Sequence, residues 1–209
     1  MSEESDFKER EKEAEDFYDY DDLAQDVLSS GNKEYAKKLI QKALDLAEES
    51  EEVSSVAHVV AKSEEGLGDE EWARKIYQQA VEMAEEEDTL RLWELGKMIA
   101  WKEGLGDKEW ARKIYQQALE TAEQSQDFYN IADYVVDEDI LGDKDWARKI
   151  YQQALETAEY SEDFCSIGKS VAKKENGLGD KEWAKKILQQ GLEKFDGDEE
   201  IQKAISRIG

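Results

Sequence analysis

Apolar residues recur along most of this chain at spacings of three and four, the period of a helix with one buried face. The pattern stops at a glycine and restarts after it. Ahead of Gly142, Phe128, Ile131, Ala132 and Val135 form one stripe, and Leu141 closes the turn. Behind it, Trp146, Ala147, Ile150, Tyr151, Ala154, Leu155 and Ala158 form a second, wider one. Asp143 is placed to accept from the free N–H groups of a first turn. Gly142 suits the left-handed residue that ends a helix. The spacing predicts a pair of helices joined at the glycine.

The same arrangement recurs along the chain. Glycines fall at 31, 68, 106, 142 and 179, in steps of 37, 38, 36 and 37 residues. Asn32, Asp69, Asp107 and Asp180 repeat the capping position. The second-helix columns are Ala36/Ala73/Ala111/Ala147/Ala184, Ile40/Tyr77/Tyr115/Tyr151/Leu188 and Ala43/Ala80/Ala118/Ala154/Gly191. The first-helix stripes begin at Tyr20, Val53, Leu92, Phe128 and Phe164. A fixed step in this range means stacked units that bury a continuous core together. Small residues beside large ones let neighbouring helices approach to about 8–10 Å. The expected fold is all-α, a superhelical solenoid of five helix-pair repeats of about 37 residues, at 16–50, 51–87, 88–125, 126–161 and 162–197. An amphipathic stretch at 199–208, with Ile201, Ala204, Ile205 and Ile208, is expected to cap the end.

The run Gly-Asp-x-x-Trp-Ala-x-x-Ile-Tyr-x-x-Ala-Leu resembles the second helix of tetratricopeptide repeats, and the first-helix pattern resembles the first helix of that family. Units 2 to 5 carry about three extra residues before the glycine, as at Ser63–Gly66, Lys102–Gly104 and Lys174–Gly177, which is similar to the Sel-one-like relatives. The proline that usually closes a tetratricopeptide unit is missing. Trp72, Trp110, Trp146 and Trp183 stand where the family more often has a polar residue. The resemblance covers roughly residues 17–195. It implies a right-handed α-α superhelix with first helices lining a concave groove and second helices forming the outer shell.

Composition narrows the function. Lys plus Arg total 28 and Asp plus Glu 53, for a net charge of −25. Such a balance disfavours nucleic acid and anionic lipid, which require basic patches. No apolar run is long enough to span a membrane, and no secretory signal is expected. One cysteine, Cys165, forms no internal disulfide, in keeping with a cytoplasmic setting. Residues 1–15 read as a separate acidic arm, a frayed helix or a disordered tail, ahead of a repeat domain at 16–209.

Chemistry is sparse. His58 and Cys165 fall in units 2 and 5, on the order of 30 Å apart in such a stack, so no Cys–His nucleophile forms. With one histidine and one cysteine, neither a Ser-His-Asp set nor a zinc site is expected. The Gly66-Leu-Gly68 and Gly104-Leu-Gly106 runs lack the Lys-Ser/Thr of a phosphate loop and read as turns. No catalytic residue, metal or cofactor is therefore expected. The second helices of units 3 and 4 differ only at Glu109/Asp145 over 105–123 and 141–159, while the first helices vary. That is the layout of a uniform scaffold with a varied recognition surface. Positions one, five and nine residues after the first core residue of each first helix face the expected groove. They supply Ser54, His58, Lys62, Trp93, Lys97, Trp101, Tyr129, Asp133, Asp137, Lys169 and Lys173, with aromatic anchors as hot spots. The expected function is a non-catalytic scaffold that holds a peptide or helix of a partner protein. The alternative is an acidic inhibitor or immunity-type protein that blocks a basic partner with its negative surface.

Overall fold

A computed structural model describes residues 3–87 and 89–208. Positions 1–2, 88 and 209 of the expected segments lie outside the described residues. Twelve helices and no strand are found among those described. They are α1 (Glu3–Glu13), α2 (Phe17–Ser29), α3 (Lys33–Leu46), α4 (Ser50–Ala61), α5 (Glu70–Glu87) and α6 (Thr89–Ala100), then α7 (Lys108–Thr121), α8 (Ser125–Val136), α9 (Lys144–Glu156), α10 (Ser161–Ala172), α11 (Lys181–Lys194) and α12 (Glu199–Ile208). The chain is an all-α helical-repeat protein. It divides into two compact units, Met1–Asp107 and Lys108–Gly209, with the division falling between α6 and α7, inside the third expected repeat.

In the first unit α2 pairs with α3 and α4 with α5, while α6 packs on α4 and α5. In the second, α8 pairs with α9 and α10 with α11, and α12 lies across α10 and α11. The cores are the columns that the periodicity picked out. Ala36, Ala73, Ala111, Ala147 and Ala184 are fully buried, as are Ala43, Ala80, Ala118 and Ala154. Repeat 1 departs from the pattern at its start: Tyr20 is half-buried, Lys42 lies over its ring, and Phe17 takes the core place.

The acidic N-terminal segment is no detached tail in the structure. Residues 3–13 form α1, which packs on α2 and buries Phe7. Glu11 accepts from the Tyr35 hydroxyl at 2.6 Å and from Lys42 at 2.8 Å, and these two partners hold its carboxyl below the usual range. Arg10 pairs with Asp26 at 2.7 Å.

Four of the turns into second helices use their expected caps. The side chains of Asn32, Asp69, Asp143 and Asp180 accept from the N–H three residues on, at 2.9–3.2 Å. The cap carboxylate also takes a basic residue of the preceding repeat. Lys37 reaches Asp69, Arg74 reaches Asp107, Arg112 reaches Asp143 and Arg148 reaches Asp180, at 2.7–3.0 Å. Lys37, Arg112 and Arg148 also lie over the Trp72, Trp146 and Trp183 rings, 4.6–4.8 Å from the centroids. A cation, a cap and an indole thus form a joint between successive repeats. The cation and the cap N–H groups hold the Asp143 and Asp180 carboxyls below their ordinary range.

Asp143→Ala is expected to lower stability by about 1–2 kcal/mol, from the lost cap plus a smaller ion-pair contribution. Asp143→Asn, which keeps the cap acceptor, should cost well under half of that. Urea midpoints at constant slope measure both. Equal losses in the two variants would refute the cap's leading share.

The glycine pairs of the inserted turns do two different jobs. Gly68 and Gly179 have φ of +71° and +69°, the left-handed conformation expected of them. Gly66 and Gly177 are not left-handed. They are places of close approach: a Cβ on Gly66 would lie 2.4 Å from the Val59 carbonyl oxygen, and one on Gly177 2.6 Å from that of Ser170. Repeat 4 has no such first glycine, and Ile140 fills its turn as a buried side chain.

Candidate partner-binding surfaces

The expected groove residues separate into three columns with different fates. The column one residue after the first core position is largely packed away. Ser54 is 4 % exposed, and its hydroxyl donates to the Glu51 carbonyl at 2.9 Å. Trp93, expected as an open anchor, is 8 % exposed. Cys165 is 4 % exposed, and burial pushes its thiol pKa up, away from the reactive range. Tyr129 is half-buried. The reason is angular. At about 100° per residue, the three columns stand about 110°, 150° and 170° from the centre of the apolar stripe. The first lies on the shoulder that a neighbouring helix covers. Ser54 and Trp93 are corrected here from groove residues to packing residues.

The other two columns stay open or half-open. In the first unit these are His58 and Lys62 from α4 and its end, and Lys97 and Trp101 from α6 and the turn after it. The His58 and Trp101 rings stack in parallel, 5.5 Å between centroids and 8° between planes. Trp101 is 40 % exposed, so one face of the pair is presented outward. The turn holds Trp101 in place: its carbonyl accepts from Gly104 N–H at 2.9 Å and Gly106 N–H at 3.0 Å. Gly104 is a place of close approach, since a Cβ there would lie 2.7 Å from the Met98 carbonyl oxygen and 3.3 Å from that of Trp101. Burial lowers the His58 pKa, nearby Lys62 adds to this, and Glu103 opposes it. At neutral pH the imidazole is uncharged and acts as an aromatic plate.

In the second unit Lys169 and Lys173 on α10 and its end are exposed, and Asp137 at the end of α8 is half-buried. Asp133 is drawn into the fold. Its carboxylate accepts from the Tyr151 hydroxyl on α9 and from the Ser170 hydroxyl on α10, the latter at 3.0 Å. Burial raises its pKa against the pull of those two bonds and of Lys173. Desolvation, with the Asp133 charge beside it, drives the Tyr151 hydroxyl pKa far up. Asp133 therefore ties three helices together, and no sequence spacing announces it. In the same column as Tyr151, the Tyr77 and Tyr115 hydroxyls are buried with no hydrogen-bond partner among the described residues.

No group of three or more His, Cys, Asp or Glu side chains among the described residues is placed to hold a metal ion. No helix among them is long and apolar enough to cross a membrane. His58 and Cys165 lie in different units.

A sequence profile of the pre-mRNA-splicing factor Syf1/CRNKL1 C-terminal HAT repeat matches residues 21–170. No curated protein matches the chain. One solved structure with a match is a circular tandem repeat protein with novel repeat topology and enhanced subunit contact surfaces. It is 17 % identical, with a TM-score of 0.21, and the alignment covers 92 % of this chain and 49 % of that one. The chain spans about half the length of that protein.

Proposed function

This chain belongs to the Syf1/CRNKL1 C-terminal HAT-repeat family, and from that premise we propose that it is a non-catalytic protein-interaction scaffold. Its first-helix faces hold a peptide or helical segment of a partner. The division of labour between helices carries this reading. Second-helix cations, caps and indoles are engaged between repeats. The first helices leave a stacked His58–Trp101 plate and the Lys169 and Lys173 cations accessible. A flat aromatic pair of low conformational freedom is the kind of surface on which binding energy concentrates. The tetratricopeptide and Sel-one-like features of the repeats support the same use of the first helices. The family description names splicing factors, and we read the chain as a member of a multiprotein assembly, in the cytoplasm or nucleus. A net charge of −25 favours contact through protein rather than through RNA.

Capture of partners from a native extract, followed by mass spectrometry, tests this. Trp101→Ala is expected to deplete the captured partner about tenfold or more, the effect of losing an aromatic hot spot. Lys149→Ala, an exposed change on a second helix, is expected to change nothing. Retention of every partner by the Trp101 variant would refute the reading. The net charge favours a second reading, an acidic blocker of a basic protein. In that case association would slow steeply with added salt, whereas docking on the aromatic plate would slow little.

A further inference from the structure

A second surface belongs to the second unit alone. There, the turn that leads into α8 and the turn that leads into α10 flank an open cavity of about 790 Å³. Its walls include Ser125, Tyr129, Glu156, Glu159, Tyr160 and Glu162, and no basic residue. Glu156, Glu159 and Glu162 make no ion pair with any described residue. Ser125 is an independent sign of a missing ligand atom. It is 3 % exposed and lines the cavity, and its Oγ has no hydrogen-bond partner among the described residues. A buried hydroxyl without a partner is costly, and such groups are normally satisfied. Tyr160 is 68 % exposed, the Tyr129 hydroxyl is engaged with Ser166, and both tyrosines line the cavity.

We propose that this cavity receives an arginine side chain from a basic segment of a partner protein. The guanidinium is planar and carries five N–H donors. It lies against a tyrosine ring, donates to the glutamate carboxylates and, as the side chains over Ser125 yield, gives one further N–H to that buried oxygen. A lysine ammonium matches less of this arrangement, because it offers no plane to stack. The site does not depend on the His58–Trp101 plate, which lies in the other unit.

Calorimetric titration of the full chain at near-physiological salt tests the assignment, with a blocked decapeptide of alternating glycine and arginine as probe. Glu156→Gln with Glu162→Gln is expected to weaken binding about tenfold. Glu34→Gln with Glu71→Gln, which removes the same charge from exposed positions in the first unit, should change it by less than about twofold, the residue of a screened field. The lysine analogue of the peptide should bind several-fold more weakly. Ser125→Ala should weaken the arginine peptide about threefold, a single lost hydrogen bond, without lowering the thermal midpoint of the free protein. Trp101→Ala should leave peptide affinity unchanged, so the two surfaces fail or succeed separately. Failure of the unaltered chain to bind, or equal losses in both charge-removing pairs, would overturn the proposal in favour of a diffuse attraction by the net charge.

Discussion

Asp133→Ala is expected to destabilise the second unit by about 2–3 kcal/mol, more than a half-buried surface carboxylate would. The substitution severs the Tyr151 and Ser170 hydrogen bonds together. It leaves the fully buried Tyr151 hydroxyl without its carboxylate acceptor, with the Ser170 hydroxyl beside it as a weaker substitute. Tyr77 and Tyr115 show that the column tolerates an unpartnered hydroxyl, so the variant should still fold. Asp133→Asn keeps one acceptor and removes the desolvated charge, and its cost should stay below about 1 kcal/mol. A double-mutant cycle with Tyr151→Phe should return a coupling of about 1–2 kcal/mol, and a coupling near zero would sink the assignment.

The pH dependence has a definite sign. The Asp133 pKa is raised above its ordinary value of 3.8. Its contribution to stability is therefore fully present below that value and is lost as pH rises through the folded pKa. Asp143 and Asp180 are depressed, so theirs is present above the ordinary value and is lost as pH falls through their folded pKa. The Asp133→Asn protein should therefore compare more favourably with the parent at about pH 7 than at about pH 3.

Gly177→Ala should cost about 2–3 kcal/mol, as an overpacked contact with backbone does. The added methyl would meet the Ser170 oxygen, the Lys173 oxygen and the Lys173 Cβ, all at 2.6 Å. None of these is the free end of a flexible side chain. Gly179→Ala is the control. It carries a left-handed φ of +69° but has its nearest neighbour at 3.9 Å, and should cost about 1 kcal/mol. Thermal or urea unfolding of the two variants separates close approach from backbone strain. A larger loss at Gly179 than at Gly177 would reverse the roles given to the two glycines.

The repeat architecture was legible because helical periodicity and a fixed step are written in many residues at once. The five alanines from Ala36 to Ala184 and the caps at Asn32, Asp69, Asp143 and Asp180 stand where the spacing put them. What stayed hidden depended on neighbours in space. Lys37, Arg74, Arg112 and Arg148 look like solvated charges on an outer face, although their recurrence one repeat apart signalled the joint. Trp93, one residue after the first core position, has the spacing expected of an anchor, yet its angle puts it on a covered shoulder. In the N-terminal segment the acidic run outweighed Phe7, the one residue that showed that α1 packs. The Asp133 bonds and the cavity beside Ser125 draw on three helices and two turns, which no single stretch of sequence reveals.

The joint between successive hairpins has a consequence for how such a protein changes over time. Its three chemical members all sit in or next to second helices. A first helix is then a cassette: its outward residues can be exchanged wholesale while the fastening to the adjacent hairpin is untouched. Lineages built on this plan can diversify what they grip by shuffling one half of each hairpin, and an engineer can graft new grips onto the same fastening.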